Sequence, residues 1–272
     1  MTFYLSSQEP FAFRKIPESK NRPFLLIADH ASKRIPKSLD NLGLPEEEVS
    51  RHIGVDIGAE RVTELLAEKL GAAAVLANYS RLVMDLDRNP NDPNFIPEVS
   101  DGTVIPGNQN LTLAERSARR VVLYDPYHQA ITQELTSLER RHGRVALISI
   151  HSFTPQLREN GSLRPWHMGI LWRHDQASAS ALHAYLQEHT DWVVGDNEPY
   201  SMHVHSCNTL RHHAENTGRP ALMLEIRQDE IATEAGQNRY ADILAGFLAT
   251  YQPPYIGAEE DASSHALAVG AA

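Results

Sequence analysis

The chain has 272 residues, 42% of them hydrophobic and 22% charged, which suits one large domain with a substantial core and argues against disorder. Lys and Arg total 25 against 35 Asp and Glu, so the formal net charge is −10, unfavourable for non-specific binding to nucleic acid or an anionic membrane. A single cysteine, Cys207, excludes an intrachain disulfide framework and thiolate metal clusters, while 14 histidines raise the question of which converge.

The N-terminal residues lack a basic leader followed by an apolar run, and no stretch approaches the roughly 18 apolar residues needed to span a bilayer, so a cytoplasmic protein is expected. The apolar run at 23–28 reads as a strand buried on both faces and stops at Asp29-His30. After a loop at 31–45, Pro45 and three glutamates open a short helix. Val62, Leu65, Leu66 and Leu70 give helical spacing over 57–70, ended by Gly71. Strands follow at 72–76 and 82–84, the second running into Asp85, Asp87 and Arg88. Residues 89–110 form a long Pro-, Asn- and Gly-containing loop. Thr112 and Glu115 form a capping box for a helix reaching about 142, interrupted near Asp125-Pro126. Strands at 145–150 and 168–172, a helix at 176–188 and a short strand at 192–194 come next. A polar connection at 196–219 holds four histidines; it precedes a strand at 221–224 and a helix at 231–250. The expected architecture is α/β: one domain over 1–253 with a mostly parallel or mixed central sheet flanked by helices, then a weakly ordered tail at 254–272. No dinucleotide-binding GxGxxG fingerprint is present.

In open α/β sheets, ligands bind beyond the carboxyl ends of the strands. Four apolar runs end in reactive groups: Asp29-His30, Asp85 to Arg88, His151-Ser152 and Glu225-Ile226-Arg227. Histidines and carboxylates so placed fit metal-assisted hydrolysis, which needs about three protein ligands and an open position. His30 and His151 are the leading ligands. Asp56 is the third choice, although it could equally cap the helix it precedes. Asp29 is read as orienting a ligand, and Asp85 and Asp87 remain alternatives. Glu225 is assigned as general base, set against a salt bridge with Arg227. Arg88 is given a catalytic and anion-binding role; Arg227 is the other anion-binding residue, and Asn89 is placed with them on the substrate side. Arg81 is read as a solvated flank, Ser152 as a hydrogen-bonding group and Cys207 as incidental. His213 is a candidate for reaching the pocket, while His203 and His205 are either a metal pair or solvated loop residues.

These segments resemble a known family. DHAS at 29–32, VDIGA at 55–59, SRLVMDLDRNP at 80–90, ISIHSFTP at 148–155, NEPYS at 197–201 and LEIRQD at 224–229 are similar to the N-formylglutamate amidohydrolases in combination and order. The resemblance implies a zinc carboxypeptidase-like (phosphorylase/hydrolase-like) fold and Zn2+-dependent cleavage of N-formyl-L-glutamate to formate and glutamate. It implies His30 and His151 as ligands, Glu225 as the catalytic carboxylate, and Arg88 and Arg227 near a small anionic acyl-amino-acid substrate. Zinc carboxypeptidases commonly use His-x-x-Glu, but the third residue after His30 is Lys33, a cationic donor with no lone pair to offer. The third ligand is therefore sought at Asp56, with another divalent metal as an alternative to zinc. Competing readings are a carboxypeptidase-like hydrolase of short peptides or cell-wall fragments and a non-catalytic small-anion or metal-binding relative.

Overall fold

In the order of the chain, the elements are β1 (Phe13–Ile16), β2 (Phe24–Ala28), α1 (Glu46–Val49), α2 (Ala59–Leu70), β3 (Ala73–Ala77), β4 (Val99–Ser100) and β5 (Thr103–Val104). Next come α3 (Leu113–Arg119), α4 (Asp125–His142), β6 (Ala146–Phe153), β7 (Met168–Leu171), α5 (Gln176–His189), β8 (Val194–Asp196), α6 (Asn208–His213), β9 (Ala221–Arg227) and α7 (Glu234–Thr250). The computed structural model describes residues 5–159, 161–203 and 207–254, so nearly all of the expected tail, and His205, lie outside the described residues.

Seven strands form a mixed sheet in the order β1-β3-β2-β6-β9-β7-β8. The central β3, β2, β6 and β9 are parallel, while β1 and β7 run against their neighbours β3 and β9. Every residue of β2, β3, β6 and β7 is buried, which accounts for their continuous apolar runs. Side chains alternate between two helical layers. Leu26, Ile148, Ile150, Leu222 and Leu224 pack in one core with residues of α2, α5 and α7. Leu25, Ile27, Leu147 and Met223 pack in the other with Tyr127, Ile131, Leu135 and Leu138 of α4 and Leu210 of α6. This second face positions the site. Continuing its parity along β6 and β9 brings Ser149, His151 and Glu225 to the same side as Leu147 and Met223.

The expected helices form, with Gly71 closing α2 at φ +63 and the Thr112–Glu115 capping box present. A π-helical turn at Arg120–Tyr124 joins α3 to α4 just ahead of Pro126, which has no N–H to continue the ladder. Several features depart from expectation. β1 forms where no strand is expected, and 82–84 is no strand: Leu82, Val83 and Met84 are buried in an irregular segment. Side chains take over its hydrogen bonding, with Asn108 Nδ2 donating to Leu82 O at 2.8 Å and Arg119 Nη1 to Val83 O at 3.1 Å. The 89–110 loop folds partly into the β4–β5 hairpin, pairing Val99 with Val104.

Candidate active site

His30 follows the end of β2, Asp56 precedes α2, and His151 lies within β6 rather than beyond it. These three bring one ligand atom each to within 4.8 Å of one another, and all are buried. Asp56 Oδ2 is 2.8 Å from His151 Nδ1 and 3.4 Å from His30 Nδ1, and also accepts from the Ser152 backbone N–H at 3.3 Å. The far nitrogens face further acceptors. His30 Nε2 is 2.7 Å from Asp85 Oδ1, while His151 Nε2 is 2.9 Å from Ser149 Oγ and 3.3 Å from Asp29 Oδ2. Asp29 is itself fixed by the Thr209 hydroxyl, which donates to Oδ1 at 3.0 Å.

Both imidazoles therefore have a carboxylate at each end. Burial opposes their charging, but Asp85 and Asp56 overcome it and the repulsion of Arg81, lifting His30 to about 9. His151 is likewise raised against burial by Asp29 and Asp56. Burial favours the neutral form of Asp56 too, but the two histidines hold its carboxyl well below the usual range. Outer carboxylates on Nε2, with both Nδ1 atoms turned to a shared oxygen, are the pattern by which proteins orient histidines toward a metal. A tetrahedral ion with ligand bonds of about 2.0–2.2 Å needs donors roughly 3.3 Å apart, so this buried set of two histidines and one carboxylate fits a divalent ion.

Around the cluster lies a cavity of about 180 Å³, whose walls include Arg81, Asp87, Arg88, Ser152, Tyr200 and Glu225. Glu225 pairs in register with His151 across β6 and β9, and with Gly169 of β7 on its other side. Gly169 is required there because a Cβ would run into the Glu198 carbonyl oxygen. Glu225 Oε2 is buried without a hydrogen-bond partner, and burial, aided by Asp56 and opposed by His151, pushes the carboxyl up to about 7. Ser152 Oγ is also buried and unpartnered. Two polar atoms lacking partners beside a metal-binding cluster suit substrate contacts.

Other expected positions fall elsewhere. Arg227 binds Asp229 at 2.8 Å and Glu230 at 2.9 Å, and is absent from the cavity wall. His213 hydrogen-bonds His128 at 2.8 Å in a buried stacked pair, because α6 turns it toward α4. That pair supports the site from behind: His128 Nε2 lies 3.0 Å from the Leu86 carbonyl, between Asp85 and Asp87. Asn89 is exposed, its Oδ1 accepting from Asn91 N in a local turn. His203 is exposed. Lys33 pairs with Glu46 on the surface at 2.6 Å. Conversely, Arg81 is no solvated flank: it grips Asp85 Oδ2 through Nη2 at 2.6 Å and Nε at 3.1 Å, with Nη1 3.6 Å from Asp56. Tyr200, in the NEPYS segment, and Cys207 also line the cavity. Periodicity gives no sign of either, because both sit in the polar connection outside any apolar run.

A mixed α/β sheet carrying a buried cluster of two histidines and a carboxylate toward the ends of its parallel strands is the arrangement that metal-assisted hydrolysis needs, a cluster able to hold a divalent ion. The chain belongs to the N-formylglutamate amidohydrolase family, whose model matches residues 22–232. It is 27% identical over 237 residues to N-formylglutamate deformylase of Pseudomonas aeruginosa, covering 83% of this chain and 84% of that one. Its likeness to the Pseudomonas putida deformylase is 25% over 240 residues, covering 82% and 86%. Among solved structures, a gene product of Agrobacterium tumefaciens superimposes with a TM-score of 0.84 at 36% identity, covering 90% of this chain and 96% of that one. N-formylglutamate amidohydrolase from Ralstonia eutropha gives 0.66 at 18%, covering 88% and 96%, and shares the fold. Family and cluster together support hydrolysis of a small N-acyl amino acid. Among the described residues, no helix is long and apolar enough to cross a membrane.

Proposed function

We propose that this chain is a zinc-dependent amidohydrolase that cleaves N-formyl-L-glutamate to formate and L-glutamate. The observation that carries the reading is the convergence of His30, Asp56 and His151 beside the unpartnered Glu225 carboxyl. The names of the Pseudomonas relatives favour the formyl substrate. His30 and His151, whose Nδ1 atoms both face Asp56 Oδ2, would hold the ion together with Asp56. When bound there, zinc supplies Lewis acidity that polarises the amide carbonyl and acidifies water.

The chain's own groups do the rest. Glu225, a buried carboxyl beside the cluster with Oε2 left unpartnered, takes the proton of the attacking water and returns it to the departing nitrogen. The Arg81 guanidinium, fixed by Asp85, presents positive charge to the cavity where an oxyanion develops. Arg88 lies 3.9 Å from Asp85, a loose ion pair that leaves its guanidinium to bind a substrate carboxylate. Ser152 Oγ supplies a further hydrogen bond to substrate. The small cavity suits an acyl amino acid better than a longer peptide.

The test is a turnover screen of zinc-reconstituted protein over formyl, acetyl and succinyl amino acids and short peptides. N-formylglutamate is expected to give the highest kcat/KM. Absence of turnover across the panel, or a preference for peptides, overturns the reading.

A further inference from the structure

The cavity's charge balance raises a question of substrate recognition. Its wall includes Asp56, Asp87 and Glu225, all carboxyl groups, and two guanidinium groups, Arg81 and Arg88. Arg81 is engaged by Asp85 and Asp56, which leaves Arg88 as the cation available to an incoming anion. An acyl amino acid with two carboxylates needs a second donor, since an unpaired charge in such surroundings is strongly disfavoured.

Arg164 stands at the appropriate place. Its Nη1 donates to the Tyr200 hydroxyl at 2.9 Å, and its guanidinium lies over the Tyr200 ring at 4.9 Å. The same Nη1 is 3.4 Å from the carbonyl of Thr154, just past the strand that carries His151 and Ser152. Tyr200 is the part of this assembly that forms the cavity wall. The segment bearing Arg164 is closed by the Gln156–Leu163 bridge and pinned by Asp101, which accepts from the backbone N–H groups of Arg158 at 3.3 Å and Glu159 at 3.1 Å. The guanidinium is thus held against Tyr200 by its bonds to the tyrosine hydroxyl and the Thr154 carbonyl.

We propose that Tyr200, backed by Arg164, is the recognition group for the second carboxylate of a dicarboxylic acyl amino acid, with Arg164 acting as a positioning residue through the tyrosine hydroxyl. A guanidinium has only donors, so the phenol oxygen accepts from it; the cation beside the hydroxyl strengthens it as a donor toward an anion. Arg88 and Tyr200 then divide the two carboxylates between them. This rests on the reading of the substrate as an acyl amino acid and adds the group that selects among such substrates.

Calorimetric binding of glutarate and butyrate to the zinc-loaded protein tests it without requiring turnover. Wild-type protein is expected to bind glutarate roughly tenfold or more tightly than butyrate, the scale of a hydrogen bond to a charged group. Arg164→Gln and Tyr200→Phe should each bring that ratio close to one, the double variant should lose nothing further, and Arg164→Lys should restore part of it. A merely structural role would weaken both acids alike. A ratio unchanged in Arg164→Gln, or single losses that multiply in the double variant, overturns the proposal. Turnover separates the two readings. Hydrolysis of N-formylglutamate with an unchanged ratio in Arg164→Gln rejects this subsite alone. The expected ratios without hydrolysis of any N-formyl amino acid reject the assigned activity and uphold the subsite.

Discussion

Replacing Glu225 by Gln should remove activity and make the metal-free protein more stable at alkaline pH. Burial raises this carboxyl from 4.5 to about 7, so in the metal-free state its ionised form is the disfavoured one. Between those values the folded chain holds a proton that the unfolded chain has released, so stability falls as pH rises through that window. The contribution is fully present below about 4.5 and lost above about 7. At 1.36 kcal/mol per pKa unit, the ionised carboxylate costs roughly 3 kcal/mol at pH 8. Glutamine has nearly the same shape and cannot ionise. Urea unfolding of chelator-treated wild-type and Glu225→Gln protein at pH 5 and pH 8 measures the difference. The variant is expected to gain about 2–3 kcal/mol more at pH 8 than at pH 5, while the zinc form loses about 10²-fold or more in kcat, the usual scale for a general base. A variant that is less stable at pH 8, or whose gain is the same at both values, refutes the description of Glu225 as a buried, unpartnered acid.

Three other substitutions probe the surroundings. Asp85→Asn keeps an acceptor near His30 Nε2 but discards the charge that orients and strengthens the imidazole, so zinc affinity should fall about 10–100-fold in a competitive chelator titration. Lys33→Ala should leave zinc affinity unchanged and stability within about 0.5 kcal/mol, because its partners Glu46 and Ser50 are on the surface; loss of zinc would reinstate the position after His30 as part of the metal site. Gly169→Ala should cost about 1–3 kcal/mol and several degrees of Tm in a thermal melt, since the added methyl meets the Glu198 carbonyl beside Glu225.

Much of the site is legible in the sequence because its residues adjoin long apolar runs. His30 follows β2, His151 continues the parity of Leu147 in β6, and Glu225 continues that of Met223 in β9. Asp56 is less legible, since the sequence leaves Asp85 and Asp87 as alternatives; the fold separates them by turning Asp56 to both Nδ1 atoms and Asp85 to the outer nitrogen of His30. Sequence periodicity fails at 80–88 for a physical reason. Leu82, Val83 and Met84 are buried as a strand would be, but Asn108 and Arg119, from distant segments, satisfy carbonyls there in place of a neighbouring strand. With no strand ending at Asp85, Arg81 folds back onto that carboxylate instead of facing solvent. Arg227 still lies in β9, in register with Phe153, but Asp229 and Glu230 just past the strand take up its guanidinium, and nothing in the i, i+2 spacing with Glu225 signals those partners. His213 carries no local sign that His128, 85 positions earlier, is its partner.

The spacing of the cluster along the chain has a consequence for how the molecule comes to life. His30 and Asp56 are 26 residues apart, Asp56 and His151 are 95 apart, and Glu225 joins them through the last strand of the parallel core. No short stretch of this sequence joins His30, Asp56 and His151, so an emerging chain cannot assemble this ligand set until the sheet has closed. Metal capture would then belong to the end of folding. An ion held there would act as a latch on the completed tertiary structure, slowing its opening far more than it would speed its formation.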